Sequence, residues 1–196
     1  MSAEPGEAKP IFLPLFEELR GQKVVIRPFR ESDVAPYYEA IEESREHLGP
    51  WLPIANFYHC EADVLPWIRR GMADWFLRED LKLHMWDAQT ERFLGGCGMH
   101  PRDWRIKSFE IGYWLRASAT GKGYMTEAVR LMVDYLFDVL QAQRIMIRCE
   151  EQNHRSAAVP RRLGFVYEGT MRHVIPGADG TLRNAMIFSL IPSDRQ

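Results

Sequence analysis

Residues 108–150 contain the change of period that most restricts what this chain can fold into. "SFEIGYWLR" (108–116) alternates, with Phe109, Ile111, Tyr113 and Leu115 on one face and Glu110, Gly112 and Trp114 on the other, the period-2 signature of a strand. From Met125 the apolar positions are 125, 128, 129, 132, 133, 136, 137 and 140, a helical stripe. "RIMIRCE" (144–150) then reads as a second strand. Strand, helix and strand in this order make a crossover, and "ASATGKGY" has to turn the chain sharply at its first corner.

Before the crossover, "KVVIRPF" (23–29) predicts a strand, and "ESDVAPYYEAIEESREHL" (31–48) a helix capped by Ser32 or Asp33. "GPWLP" breaks that helix, and a second follows over about 61–79, with Asp63 as a cap and Pro66 in its first turn. "LKLHMWDA" (81–88) and "RFLGGCGMHP" (92–101) pattern as an antiparallel pair across "QTE". Glycines 95, 96 and 98 are costly inside a strand and point to a bulge or a close backbone approach. After the crossover come a short helix in 153–165, ended at Gly164, and strands at 165–169 and 184–191. The sum is an α/β (α+β) fold with a mostly antiparallel sheet, one crossover and about four helices.

At 196 residues the chain suits one domain, here 11–196 behind a loose tail at 1–10, with "IFLPLF" packed on the body or on a partner chain. A formal charge of −2 gives no general attraction to nucleic acid or to an anionic membrane, so any anion site must be local. The N-terminus lacks a basic n-region, and its apolar stretch is too short to span a bilayer. Three scattered cysteines, Cys60, Cys97 and Cys149, cannot form a disulfide framework and suit a reducing cytoplasm. No spacing of His and Cys suits a metal.

The glycine turn fails both familiar nucleotide patterns. Lys122 is followed by Gly123 rather than Ser or Thr, and position 126 is Thr where a dinucleotide loop needs glycine. What remains is a helix start whose amides are unpaired and carry the positive end of the helix dipole, approachable because two residues lack side chains. The competing reading is a tight turn that needs positive φ.

"FEIGYWLRASATGKGYMTEAV", the strand after it and "NHRSAAVPRRLGFVYEG" together resemble the GCN5-related N-acetyltransferases, in the branch that acetylates N-termini of ribosomal proteins (RimJ/RimL-like). "IRPFRESDVAPYYEAIEESREHLGPWLP" and "HVIPGADGTLRNAMIFSLI" resemble the opening and closing of that branch, so the likeness runs over 23–191. The resemblance implies a sheet splayed at an acetyl-CoA site. It implies that Leu115, Arg116, Thr120, Gly121, Lys122, Gly123, Tyr124 and Met125 bind acetyl-CoA, its pyrophosphate on backbone amides and its pantetheine arm along the strand ending at Leu115. Ser118 stands where the family has Gln or Arg, which removes one side-chain contact. Asn153 and Ser156 match an Asn that bonds the pantetheine arm and a Ser that protonates the leaving thiolate, although Asn153 also reads as a helix N-cap. Arg155, Arg161 and Arg162 could touch the CoA phosphates or form a solvated face.

The acceptor amine must lose a proton, and Glu110 is the first candidate to take it, from the strand beside the CoA loop. His100 and Glu150 are the others, with Tyr113 as a contact to the thioester. The resemblance makes the acceptor a protein N-terminus; a small amine such as an antibiotic or polyamine is the rival, and a non-catalytic CoA-binding sensor module the reading from another class. The protein could be a monomer or a homodimer.

Overall fold

The computed structural model describes residues 10–52, 57–177 and 180–195. The expected tail lies outside these residues up to position 9, as do Pro53 of the "GPWLP" break and Ala178 and Asp179 of the closing "HVIPGADGTLRNAMIFSLI" stretch.

Eight strands form one sheet: β1 (Leu19–Arg20), β2 (Val24–Pro28), β3 (Leu81–Asp87), β4 (Phe93–Asp103), β5 (Ser108–Leu115), β6 (Arg144–Glu150), β7 (Val166–Pro176) and β8 (Leu182–Leu190). Their order is β1-β2-β3-β4-β5-β6-β8-β7. Every neighbouring pair is antiparallel except β5 and β6, which the crossover joins in parallel. Four α-helices accompany the sheet: α1 (Val34–Leu48), α2 (Glu61–Leu77), α3 (Tyr124–Asp138) and α4 (His154–Arg162).

The alternation along β5 sorts the two faces. Phe109 and Ile111 join a core made with Met125, Ala128, Val129, Met132 and Leu136 of α3 and Ala157 of α4. Trp114 turns the other way, onto Tyr37 and Ile41 of α1 and Val64 and Ile68 of α2. The glycines of β4 do what their cost suggested. The β3–β4 register slips between Met85 and Trp86, so one extra residue sits near Gly95 and reverses the facing of the strand. Phe93 therefore packs on the α1/α2 side while Cys97 and Met99 pack on the α3/α4 side, although all three positions are odd.

Several details differ from the sequence expectation or narrow it, among them the two-residue strand β1, which it did not contain. Helix α2 starts at Glu61 behind Cys60, so Asp63 lies inside the first turn and accepts from the backbone N–H of His59 (2.9 Å) and Cys60 (3.1 Å). Pro66 is correspondingly deeper in the helix. Strand β7 continues to Pro176, well past Gly169. "IFLPLF" packs on this chain's own body: Phe16 meets Trp75 and Tyr135 edge-on at 5.2 and 4.7 Å, while Phe12 stays exposed.

Candidate active site

The parallel pair β5–β6 is hydrogen-bonded only from Ser108/Arg144 to Glu110/Met146. Beyond that point the strands run on to Leu115 and Glu150 without pairing, and the sheet opens into a V. The expected splay is there, and everything of chemical interest gathers around it.

At the mouth of the V the chain passes through a short 3-10 turn (117–119) into Gly121 and Gly123, both with positive φ (77° and 83°). A Cβ at Gly121 would meet nothing within 4 Å, and one at Gly123 only Lys23 Nζ at 3.5 Å. These glycines serve backbone conformation and leave the outer side of the loop open. Gly123 is the N-cap of α3 and no side chain caps the helix; among the described residues the amides of its first turn have no acceptor within the chain. This is the feature an anion needs. Lys23 Nζ donates to the Lys122 carbonyl at 3.2 Å, which brings two cations beside the loop.

The other expected side chains are occupied in shaping this loop. Arg116 is 2% exposed. Its guanidinium donates to Glu39 (2.7 Å), to Glu43 through Nε (2.9 Å) and Nη2, and to the Phe93 carbonyl (3.1 Å). Glu43 also accepts from the Ser118 N–H at 2.9 Å, and Ser44 Oγ from the Ala117 N–H at 3.0 Å. The bond from Arg116 holds the Glu43 carboxyl down at about 2. Thr120 Oγ1 donates to the Ala117 carbonyl, Tyr124 to Asp87, and Met125 is buried in the core. The loop therefore presents amides, not these side chains, and Glu39, Glu43 and Ser44 of α1 are the staples that sequence reading missed. The i, i+4 spacing of the two glutamates was a visible signal, but nothing in it named Arg116 as the partner.

Inside the V, Asn153 caps α4 by accepting from the Ser156 N–H at 3.0 Å. The Tyr113 hydroxyl donates to the Ser156 carbonyl (2.9 Å), and Ser156 Oγ donates to the Tyr113 oxygen (3.3 Å). Burial raises the Tyr113 pKa, so it stays a neutral phenol. Cys149 is buried beside this pair and its thiol is pushed up to about 11; burial takes that of Cys97 to about 12. Neither is a ready thiolate nucleophile. Arg161 lies against Met186 and Phe188, while Arg155 and Arg162 are exposed.

On the α1/α2 side of the sheet, at the closed end of the V, lies an open-sided cleft of about 660 Å³ lined by Glu110, Arg102, Arg148, Met146, Thr170 and Met171 among others. Glu110 is 8% exposed and ion-paired with Arg102 (2.6 Å) and Arg148 (3.5 Å). His100 lies opposite it on β4. Glu150, also 8% exposed, accepts from the Gln152 N–H with Oε1, while Oε2 is buried without a hydrogen-bond partner. Among the described residues no group of three or more His, Cys, Asp or Glu stands together as a metal site, and no helix is long and apolar enough to cross a membrane.

The shape has known counterparts. The structure of the microcin C7 self-immunity acetyltransferase MccE with acetyl-CoA and AMP superposes with a TM-score of 0.82 at 22% identity, over 87% of this chain and 93% of that one. RimL, the ribosomal L7/L12 alpha-N-protein acetyltransferase, in complex with coenzyme A gives 0.81 at 19% identity, over 87% and 95%. In sequence the chain is 31% identical to YdaF of Bacillus subtilis (strain 168), covering 87% of this chain and 89% of that protein. It is 25% identical to the [ribosomal protein uS5]-alanine N-acetyltransferase of Escherichia coli (strain K12), covering 90% and 91%. Residues 23–166 match the acetyltransferase (GNAT) domain family. That match takes in the glycine loop, the splayed strands and the start of α4 alike: the chain belongs to the GCN5-related N-acetyltransferases and is an acetyl-CoA-dependent N-acetyltransferase.

Proposed function

We propose that the acceptor is the α-amine at the N-terminus of a protein, and that the V between β5 and β6 is where acetyl-CoA meets it. The observation that carries this is the open-sided cleft at Glu110, which meets the V on the α1/α2 side. A small amine is usually gripped in an enclosed pocket, whereas an extended chain end can lie along an open groove. Relatives support the reading: two Escherichia coli proteins, 25% and 27% identical, are named as acetyltransferases of uS5 alanine and of ribosomal-protein serine.

Acetyl-CoA supplies an activated acetyl thioester. The amides of Gly121 to Met125 and the charge of Lys122 fit its pyrophosphate, because the loop faces outward and its donors lack internal partners. The edge of β5 that faces β6 from Ile111 to Leu115, left without a partner strand, fits the pantetheine arm, as does the side-chain amide of Asn153. Arg116, Thr120 and Tyr124 act by fixing the loop. Ser156, with the Tyr113 hydroxyl against it, is the donor placed to return a proton to the departing thiolate. Glu110 and His100 are the groups on the acceptor side. An α-amine needs modest help, since about a tenth of it is neutral at pH 7. The free Cys60, Cys97 and Cys149 accord with work in a reducing cytoplasm.

The test is thiol release from acetyl-CoA, with mass spectrometry of the product, across Ser-, Ala- and Thr-started peptides, spermidine and aminoglycosides. Peptides should turn over at least about 10-fold faster in kcat/KM, with one acetyl group on the α-amine. Preference for spermidine or an aminoglycoside would overturn the assignment.

A further inference from the structure

The glycines of β4 and β5 create a bare patch on the acceptor side of the sheet, and a single imidazole lies on it. Gly98 and Gly112 face each other across the two strands, and His100 faces Glu110 in the adjoining row. A Cβ on Gly98 would stand 2.8 and 2.9 Å from Cε1 and Nε2 of His100, and one on Gly112 would stand 3.0 Å from the same Nε2. The ring thus spreads over both glycines with Nε2 directed at the middle of β5, the strand that borders the V. Two mid-strand glycines that weaken a sheet have this ring as their physical reason.

The opposite nitrogen is held. Nδ1 of His100 is 2.5 Å from Asp80 Oδ1, and Asp80 also receives Lys82 Nζ at 3.3 Å. Burial tends to raise the Asp80 carboxyl, but His100 and Lys82 outweigh it and keep the group ionised. An ionised acceptor on Nδ1 puts the proton of the neutral ring there and leaves the Nε2 lone pair bare. Glu110 is arranged oppositely. Arg102 donates twice to its Oε2 (3.0 and 2.6 Å) and Arg148 approaches its Oε1 at 3.5 Å. Both carboxylate oxygens are therefore already engaged by cations of the cleft wall, whereas Nε2 of His100 is not.

We infer that His100 Nε2 takes the proton of the acceptor amine, with Asp80 as its positioning residue, and that Glu110 instead anchors Arg102 and Arg148 in the cleft. The inference rests on the acetyl-transfer reading of the V. In the step, the amine nitrogen forms the N–C bond to the acetyl carbon, the C–S bond breaks, and the amine proton passes to Nε2. The sulfur receives its proton through the Ser156 hydroxyl, which regains one from water. The imidazolium so formed is balanced by Asp80 and, at 29% side-chain exposure, returns its proton to water. The charged groups around the ring are Asp80 and Lys82 at the start of β3, Asp74 of α2 behind Lys82, Arg102 of β4 and Glu110 of β5.

His100→Asn keeps a donor for Asp80 and removes the base. It should lower kcat with a Ser- or Ala-started peptide about 100-fold, the lower end for a general base, and leave KM for acetyl-CoA within about twofold. The deficit should shrink as pH is raised towards about 9, where the α-amine deprotonates unaided. Asp80→Asn should lower kcat less and displace the acidic limb of the kcat/KM profile. A readout independent of turnover is the ¹⁵N spectrum of the His100 ring in the free protein, which should show Nδ1 protonated and Nε2 bare, a preference lost in Asp80→Asn. An Nε2–H tautomer in the wild type would overturn the inference. So would a His100→Asn protein of unchanged Tm that turns over at the wild-type rate with the same pH profile, or loss of the acidic limb in Glu110→Gln but not in His100→Asn. A wild-type protein that released no thiol with any amine would remove the acetyl-transfer reading, and the proton-transfer step with it.

Discussion

Arg116 shows how a buried charge can shape a loop through its neighbours. Its charge is buried against Glu39 and Glu43, and through Glu43 it is tied to the Ser118 N–H that starts the glycine turn. Removing one partner of a buried charge leaves the other short of its hydrogen bonds. Glu43→Gln should therefore cost about 1–3 kcal/mol, measured by urea unfolding, and should weaken CoA binding by loosening the turn; unchanged stability would show that Glu39 alone suffices. Gly123 makes the complementary case. Its φ of 83° is a conformation that side chains resist, and its carbonyl accepts the first bond of α3, from the Glu127 N–H. Gly123→Val should abolish CoA binding in calorimetry while circular dichroism stays native, and undiminished affinity would dismiss the amide cradle. Gly121, Gly123, Asn153 and Ser156 were legible in sequence because their geometry is local: a turn, a cap, a spacing. The bonds of Arg116 to Glu39 and Glu43 were not, because those glutamates stand more than seventy residues away, a distance that no local pattern reports.

At the scale of elements, α1 is the member that holds the site together. Its middle carries Glu39, Glu43 and Ser44 to the loop, while Asp33 at its start receives two bonds from Arg27 of β2 (2.9 and 2.7 Å) and sits 2.7 Å from Nδ1 of His84 on β3. Asp33 and His84 are both fully buried. Burial pushes the Asp33 carboxyl up, but the bonds from His84 and Arg27 prevail and hold it at about 2. Burial lowers the His84 pKa, so the ring is neutral in the folded protein. Both shifts have the same sign for stability. An unfolded His84 binds a proton below about 6.5, and an unfolded Asp33 below about 3.9, that the folded groups refuse. Stability should be full above about pH 6.5, decline below it as His84 resists protonation, and decline again from about pH 4 towards 2. Calorimetric Tm against pH checks this; a Tm flat from pH 7 to 5 would contradict the buried neutral imidazole. Most elements were readable from period and caps. The reach of β7 past Gly169 was not, because an edge strand with Gly169 at φ 147°, His173 at φ 54° and two register slips shows no alternation.

Seen whole, the molecule is a sheet that is continuous at one end of β5–β6 and parted at the other, with helices on both faces fixing how far it opens. The crossover between β5 and β6 could be read from sequence, since one strand–helix–strand run contains it. Where pairing stops could not, because that depends on α3, α4 and the stapled loop together. The parting has a measurable consequence. Strand β5 is hydrogen-bonded to β4 up to Leu115, and β6 to β8 up to Glu150, but the backbone groups that face across the V beyond Glu110 and Met146 have no partner strand. A ligand lying between them as a third strand would satisfy those groups and the amides of the α3 N-terminus in one event. Amide exchange followed by mass spectrometry should then slow in peptides covering 111–115 and 121–126 when CoA is added, with no change along β7 at the far edge. Protection at 121–126 alone would mean that the phosphates are held without the arm entering the V. Protection in neither segment, with CoA bound, would place the cofactor elsewhere and detach the splay from catalysis.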